Sequence, residues 1–285
     1  TINCNPNANF NWSTECQGSP TIFTDISTDG TLPNTINQWS WNMGVGTGNY
    51  VLSTTSTSKN PRYQFDTCTS YPINLEVTDT YGCLDDTTII VTVYCNPIAI
   101  IDSVDPVCEG NPSIFTNSSI QGGNAPLTIY SWNMGGSGNY SVGNDNSTSP
   151  QYIYDNCGIY TVTLSVTDAN GCTHDTTIIV TVNCPPIANF SSSIECEGDS
   201  TVFTDLSNVN SLIASGHSIV DWNWSFGSSF ANDSFNFDTC GIDVLDVTLT
   251  VTDNQLPTCT ASITKPITIN CNPNANFNWS TECQG

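Results

Sequence analysis

Fourteen cysteines hold most of the reactive chemistry in this chain, and their spacing selects which chemistry. They stand at positions 4, 16, 68, 83, 95, 108, 157, 172, 184, 196, 240, 259, 271 and 283, and no two are closer than 12 residues. Structural zinc wants ligand pairs two to four residues apart, so the pattern predicts disulfides rather than metal. Disulfides in that number persist in an oxidising compartment, which places the chain outside the cytoplasm. The only histidines, His174 and His217, occupy non-equivalent places and read as exposed loop residues rather than acid–base groups. No Ser-His-Asp or Cys-His set can be assembled, so no catalytic residue is expected and the chain reads as non-enzymatic. The remaining chemistry is acidic. Asp79, Asp85 and Asp86, with their counterparts Asp168 and Asp175, are calcium candidates, since extracellular modules bind calcium weakly through oxygen ligands. A third counterpart is missing, with Ser262 near the Asp86 position, and no D-x-D-x-D loop occurs, so solvated acid is the plainer reading. No other cofactor is expected.

Composition narrows the class. Of 285 residues only 10% are charged, with Lys59, Arg62 and Lys265 against 26 acidic residues, for a net charge of -23. Such a chain is repelled by nucleic acid and by anionic lipid. No apolar run is long enough to span a bilayer, so this segment does not insert in a membrane. A hydrophobic content of 38% with seven tryptophans argues against disorder. The polar surface is built from Thr, Ser and Asn, which suit strands and turns better than helices.

The elements that must position the cysteines come in repeats. Residues 1–18, TINCNPNANFNWSTECQG, return unchanged as residues 268–285, an offset of 267. This predicts either a window on a longer array or one unit of a polymer. Inside the 267 residues the cysteine gaps cycle with four members, which divides the unit into three modules of 91, 89 and 87 residues. The divisions are 1–6, the end of a preceding module; 7–95, 96–184 and 185–271, three modules; and 272–285, the start of a next one. Each module carries a strand of the TIFTD type at 21–25, 113–117 or 201–205. Each then has two aromatics two residues apart: Trp39 and Trp41, Tyr130 and Trp132, Trp222 and Trp224. That spacing puts both rings on one face of a strand. An alternating strand ending in V-T-D follows, at Asp79, Asp168 and Asp253, then a turn, then a last alternating strand. Short strands punctuated by turns, with no convincing helix, predict an all-β antiparallel sandwich in each module.

The order W-x-W-x-x-G, then Y-x-V-x-L-x-V-T-D, then N-G and V-T-V resembles the PKD domain, an immunoglobulin-like sandwich common on cell surfaces. The resemblance covers all three modules and implies a fold of tandem Ig-like modules, end to end in a rod or filament. Where that family carries F-G-D-G, this chain has Met43-Gly44-Val45, Met134-Gly135-Gly136 and Phe226-Gly227-Ser228, so no role of that aspartate carries over. The four-cysteine, acidic, Thr-rich tandem form resembles the giant cell-surface gliding adhesins of Bacteroidota, of the SprB type.

In such a sandwich the first strand runs from the entry end to the exit end, and the last two strands form a hairpin that returns and descends again. Four cysteines then gather at each junction: 16, 68, 95 and 172 at the first, 108, 157, 184 and 259 at the second, and 196, 240, 271 and the next copy's equivalent of 83 at the third. The preferred pairing is Cys16–Cys68, Cys95–Cys172, Cys4–Cys83, Cys108–Cys157, Cys184–Cys259 and Cys196–Cys240. It rests on reach, because cysteines at opposite ends of an eight-residue strand cannot come within about 7 Å. The rival pairing joins Cys68 to Cys95 across the hairpin and Cys16 to Cys172 across the junction. Either leaves Cys271 and Cys283 to partners in a next copy. Linkers are nearly absent, and Pro97, Pro185, Pro186 and Pro273 stiffen the crossings.

Three surface features complete the reading. The aromatic pairs are expected in the core rather than as a carbohydrate platform, whereas Trp12 and Trp279 are candidates for exposure, since Val104 and Ser192 stand at that place in the other modules. Thr87, Thr176 and Ser103 lie in Asp-Ser/Thr triplets similar to a bacterial O-glycosylation signal. Pro266, beside Lys265, interrupts the last strand of module 3 and marks a sheet edge. The function expected is the stalk of a large extracellular adhesin, giving reach and tensile strength for surface attachment or gliding. Its partners are further copies of the module and a surface polysaccharide or solid substrate. Alternatives are an accessory region of a secreted polysaccharide-degrading enzyme and a subunit of a polymeric filament.

Overall fold

The computed structural model describes residues 5–30, 35–210 and 216–280, and backbone alone at 242–244. These residues form strands, bridges, turns and coil, with no helix among them. The first module contains β1 (Phe10–Trp12), β2 (Pro20–Asp25), β3 (Ile36–Asn42), β4 (Gly48–Tyr50), β5 (Arg62–Phe65), β6 (Ser70–Asp79) and β7 (Leu84–Thr92). One sheet has the order β1-β2-β5-β4 and the other β3-β6-β7. The second contains β8 (Val107–Cys108), β9 (Ser113–Ile114), β10 (Leu127–Asn133), β11 (Gly138–Val142), β12 (Gln151–Tyr154), β13 (Gly158–Asp168) and β14 (Thr173–Asn183), in sheets β10-β13-β14-β8 and β11-β12-β9. The third contains β15 (Phe190–Ser192), β16 (Ser200–Asp205), β17 (Ile219–Trp224), β18 (Asn232–Asn236), β19 (Gly241–Asp253) and β20 (Thr260–Ile269), in sheets β15-β16-β18 and β17-β19-β20. The architecture is all-β: three sandwiches in tandem.

The alternation of apolar residues makes each sandwich. In β6, Tyr71, Ile73, Leu75 and Val77 all point inward, because a strand's side chains repeat every two residues. They meet Phe10 and Phe23 from the facing sheet and pack beside Trp41 of the neighbouring strand β3. Val162, Leu164 and Val166 do the same in the second module, and Val247, Leu249 and Val251 in the third. The register is copied too. Trp41 lies opposite Leu75, Trp132 opposite Leu164 and Trp224 opposite Leu249, and a bulge falls at the same place each time, after Ile36, Leu127 and Ile219. Within each aromatic pair the second ring is fully buried and the first half-buried. Pro266 lies on β20, an edge strand of its sheet.

The glycine after each aromatic strand, Gly44, Gly135 and Gly227, has a positive φ, and at Gly135 the space is closed as well. At Gly135 φ is +71°, and a Cβ would stand 2.2 Å from the carbonyl oxygen of Thr161. A left-handed turn at close range to a neighbouring backbone admits no side chain.

Tyrosines complete the cores of the first two modules. Tyr154 stacks on Tyr160 with 3.9 Å between ring centroids and donates its hydroxyl to Met134 O at 2.9 Å. Tyr50 donates to Trp41 O at 3.3 Å. Burial raises the Tyr154 phenol and pushes Tyr50 up to about 12, with Tyr63 beside Tyr50 adding to the effect. A tyrosine in the unfolded chain ionises near pH 10. The folded state holds its proton longer, so this contribution to stability is complete below pH 10 and falls as pH rises from 10 towards 12. We expect the melting temperature to drop across that window, and Tyr154→Phe to flatten the drop. A profile equally steep with Phe at that position would contradict the assignment.

Candidate functional site

The cysteines and the V-T-D aspartates singled out from sequence lie at the ends of the modules. The turn of each final hairpin is built on an aspartate. Asp79 Oδ1 accepts the N–H groups of Tyr81 and Cys83, both at 2.9 Å. Asp168 Oδ1 accepts those of Asn170 and Cys172, and Asp253 Oδ1 those of Gln255 and Cys259. All three carboxylates are at most 2% exposed. The V-T-D signature is therefore a turn anchor, which holds the following cysteine's backbone in place. The other calcium candidates have other neighbours. Asp85 Oδ2 accepts Ala8 N–H at 2.7 Å, Asp86 Oδ2 accepts from Asn74 Nδ2 at 2.9 Å, and Asp175 is exposed on β14. Among the described residues no three His, Cys, Asp or Glu side chains gather in a way that could hold a metal ion.

His174 is a strand residue with a defined partner. Its Nδ1 accepts Ala99 N–H at 3.0 Å, the bond that Asp85 makes to Ala8 one module earlier. Histidine and aspartate here do the same job, fastening the start of a module to its last strand. His217 is half-buried with Nδ1 3.3 Å from Asn254 Oδ1.

The disulfides follow the rival pattern and overturn the preferred one. Within each module the final hairpin is closed: Cys68–Cys95, Cys157–Cys184 and Cys240–Cys271, each with Cα atoms 4.9 Å apart. Between modules, Cys16 bonds Cys172 and Cys108 bonds Cys259, at Cα separations of 5.6 and 5.7 Å. Cys83 and Cys196 carry free thiols, Cys271 has its partner in this chain, and Cys4 and Cys283 lie outside the described residues. Strand direction explains why the preferred pairing does not form. Cys68 precedes β6 and Cys95 follows β7, and in an antiparallel pair those positions share one end, with Ser70 opposite Thr92.

These links give the chain a short covalent route. Eleven residues lead from Asn5 to Cys16, a disulfide crosses to Cys172, and twelve residues along β14 lead to Cys184 at the far end of module 2. Fully extended, those 23 residues reach about 80 Å. β13 and β14 each run 11 residues, about 36 Å, so two modules in line already approach that length. Tension between Asn5 and Cys184 passes along two strands and one sulfur–sulfur bond with little slack.

Polar contacts surround the links. Asn96 Nδ2 donates to Gln17 O at 3.1 Å, and Asn183 Nδ2 to Leu256 O and Pro257 O. At the second junction Gln255 Nε2 bridges Asp253 Oδ2 and Cys184 O. At the first, a cavity of about 320 Å³ is lined by Cys68, Tyr94, Cys95, Asn124, Asp168 and Asn170 among others. There Asp168 Oδ2 has no partner among the described residues, and Asn170, the counterpart of Gln255, is one methylene shorter.

The surface candidates separate. Trp12 packs half-buried against the core beside Phe10, contrary to its expected exposure, whereas Trp279 is 75% exposed. Thr87 and Thr176 are half-buried, opposite the core residues Leu75 and Leu164, and Ser103 is exposed. One recurrent contact was not foreseen: Trp39 Nε1 donates to Asp25 Oδ2 at 2.8 Å, and Trp222 Nε1 to Asp205 Oδ2 at 2.7 Å. The signal was legible, because module 2 has Tyr130 and Asn117 where the others have Trp and Asp.

Tandem Ig-like sandwiches with disulfide-clamped junctions define the class. The family model of the PKD domain matches residues 3–93 and again 94–184. The chain belongs to the PKD domain family. No curated protein matches it. Among solved structures it is similar to the PKD1 domain of Vibrio anguillarum Epp, with 28% identity over 32% of this chain and 96% of that one, at a TM-score of 0.26. It is also similar to an I-band fragment of titin, with 10% identity over 96% of this chain and all of that one, at a TM-score of 0.41. The eight N-terminal Ig domains of Down syndrome cell adhesion molecule match with 11% identity over 94% of this chain and 37% of that one, at a TM-score of 0.44. The disulfides place the chain in an oxidising setting outside the cytoplasm. No helix among the described residues is long and apolar enough to cross a membrane.

Asn170→Gln should supply the bridge that Gln255 makes. We expect it to stabilise the first junction by about 1 kcal/mol, read as a higher melting temperature and slower proteolysis between residues 95 and 99. An unchanged or lower melting temperature would mean that Asp168 has no unmet acceptor.

Proposed function

We propose that the chain is a non-enzymatic, load-bearing segment of a large extracellular adhesin, displayed at the cell surface. Its task is to hold an attachment site away from the cell and to transmit tension without lengthening. The observation that carries this reading is the near-taut covalent route from Asn5 through Cys16–Cys172 to Cys184. An ordinary tandem Ig-like array lengthens under load as its modules unfold one by one. Here a pull along the array loads strand backbone and disulfides, and most of each sandwich lies off that path. A binding module or an enzyme scaffold has no comparable need for covalent clamps at successive junctions.

The strongly acidic, hydroxyl-rich surface suits a stalk that does not stick to itself or to anionic cell surfaces. A surface polysaccharide or solid support is the attachment target that fits this role, with further copies of the module extending the reach. The role needs neither a cofactor nor a calcium ion, and gliding over a surface in the manner of the Bacteroidota adhesins is the setting that loads such a tether.

The test is attachment under flow by cells that display the full protein. Cys16→Ser with Cys172→Ser should leave static attachment within about twofold and lower the shear stress needed to detach cells. Equal detachment stress for the variant and the parent would count against a load-bearing role.

A further inference from the structure

Among the described residues two cysteines, Cys83 and Cys196, lack partners, and they occupy complementary places. Cys196 stands where Cys16 and Cys108 stand. Each of the three opens a tight turn, with Ser19, Asn111 and Asp199 N–H groups bonded to the Cys16, Cys108 and Cys196 carbonyls. Each also lies beside the end of its module's last strand. Cys16 and Cys196 form parallel bridges to Tyr94 and Asn270, and Cys108 belongs to β8, which pairs in parallel with β14.

Cys83, in turn, stands where Cys172 and Cys259 stand. Its N–H donates to Asp79 Oδ1 and its carbonyl accepts Asp79 N–H, the same closure found at Asp168 and Asp253. Cys172 and Cys259, which are bonded, are at most 1% exposed, whereas Cys83 is only half-buried.

The residues after Cys271 leave module 3 as those after Cys95 leave module 1. Asn272 Nδ2 donates to Glu197 O at 2.9 Å, as Asn96 Nδ2 does to Gln17 O. They also repeat residues 5–18 in full. Phe10 is 1% exposed in the core of module 1, while its counterpart Phe277 is 82% exposed. The tail therefore carries, unpaired and exposed at Phe277, the sequence that forms the first strand of module 1, at the place where the earlier modules begin.

We propose that Cys196 forms a third junction disulfide with the hairpin-turn cysteine of a further copy of module 1, continuing in the same chain from residues 272–285. Cys83 is the acceptor of the same bond from a preceding module of the third type. Two thiols give up two protons and two electrons to form the bond, and a disulfide oxidant accepts them. With oxidised glutathione the products are one protein disulfide and two glutathione thiols. The link would carry the covalent route from the first strand of module 3 into the last strand of the next module, so that no junction of the array is left open.

The test extends the full chain by a second copy of residues 19–95 after Gly285. Cys83→Ser in the first copy lets the appended thiol report alone. The protein is oxidised with glutathione, alkylated without reduction, digested and mapped by mass spectrometry. A linked pair of the Cys196 peptide and the appended hairpin peptide is expected, and Cys196→Ser should leave the appended thiol alkylated. Alkylation of both thiols in the extended chain would overturn the proposal. So would a ladder of Cys196–Cys83 oligomers from the unextended chain, which would place the bond between separate chains. Neither outcome touches the route through modules 1 and 2, so the tether reading would be judged separately.

Discussion

A disulfide can close only when two Cα atoms come within about 7 Å, and that requirement at Cys16 and Cys172 organises much else in this protein. The turn after the first strand of one module and the hairpin turn of the next must meet end to end. The hairpin turn must hold its cysteine in one place, which the buried carboxylate of Asp168 does with two backbone hydrogen bonds. The turn that presents Cys16 is fixed by its parallel bridge to Tyr94, at the end of the last strand of module 1. Cys68–Cys95 then ties the same corner to the start of the penultimate strand. Three neighbouring elements of one module and one turn of the next are thus fastened at a single corner, leaving little freedom for a hinge.

The mechanical consequence follows from strand direction. The first and last strands of a module run parallel, both from entry to exit, as the Ala8–Asp85 contact at one end and the Cys16–Tyr94 bridge at the other require. A disulfide from the end of one first strand to the beginning of the next module's last strand therefore always advances along the array. Had the clamp joined any other pair of strands, the route would have doubled back and left slack. The hydrophobic cores then have a lighter task than in a free module. They hold the strands in register while covalent bonds carry the pull.

The sandwich was legible because one signal repeats three times in different wording. Trp41, Trp132 and Trp224 sit opposite Leu75, Leu164 and Leu249, and period-two alternation in both strands allows no other inward face. The gathering of four cysteines at the first two junctions was legible for the same reason. Their pairing was not, because Cys16, Cys68, Cys95 and Cys172 all lie at one corner and spacing along the chain cannot separate two pairings within it. The turn-anchor role of Asp79 and Asp168 was not legible for a different reason: a buried turn anchor and an exposed metal ligand are the same residue type in the same kind of loop. The match between Asp85 and His174 was hidden by their different chemistry, and only the shared bond to an alanine N–H connects them.

The claim that most needs testing is that modules 1 and 2 cannot lengthen under load while Cys16–Cys172 is intact. The direct measurement is single-molecule force spectroscopy on the full chain, with attachment points at Asn5 and beside Cys184, before and after reduction. Before reduction the account predicts no unfolding steps between the attachments, up to the force that breaks covalent bonds. After reduction it predicts stepwise unfolding, with roughly 550 Å of contour length released in all. Stepwise release of whole modules from the oxidised chain would contradict it.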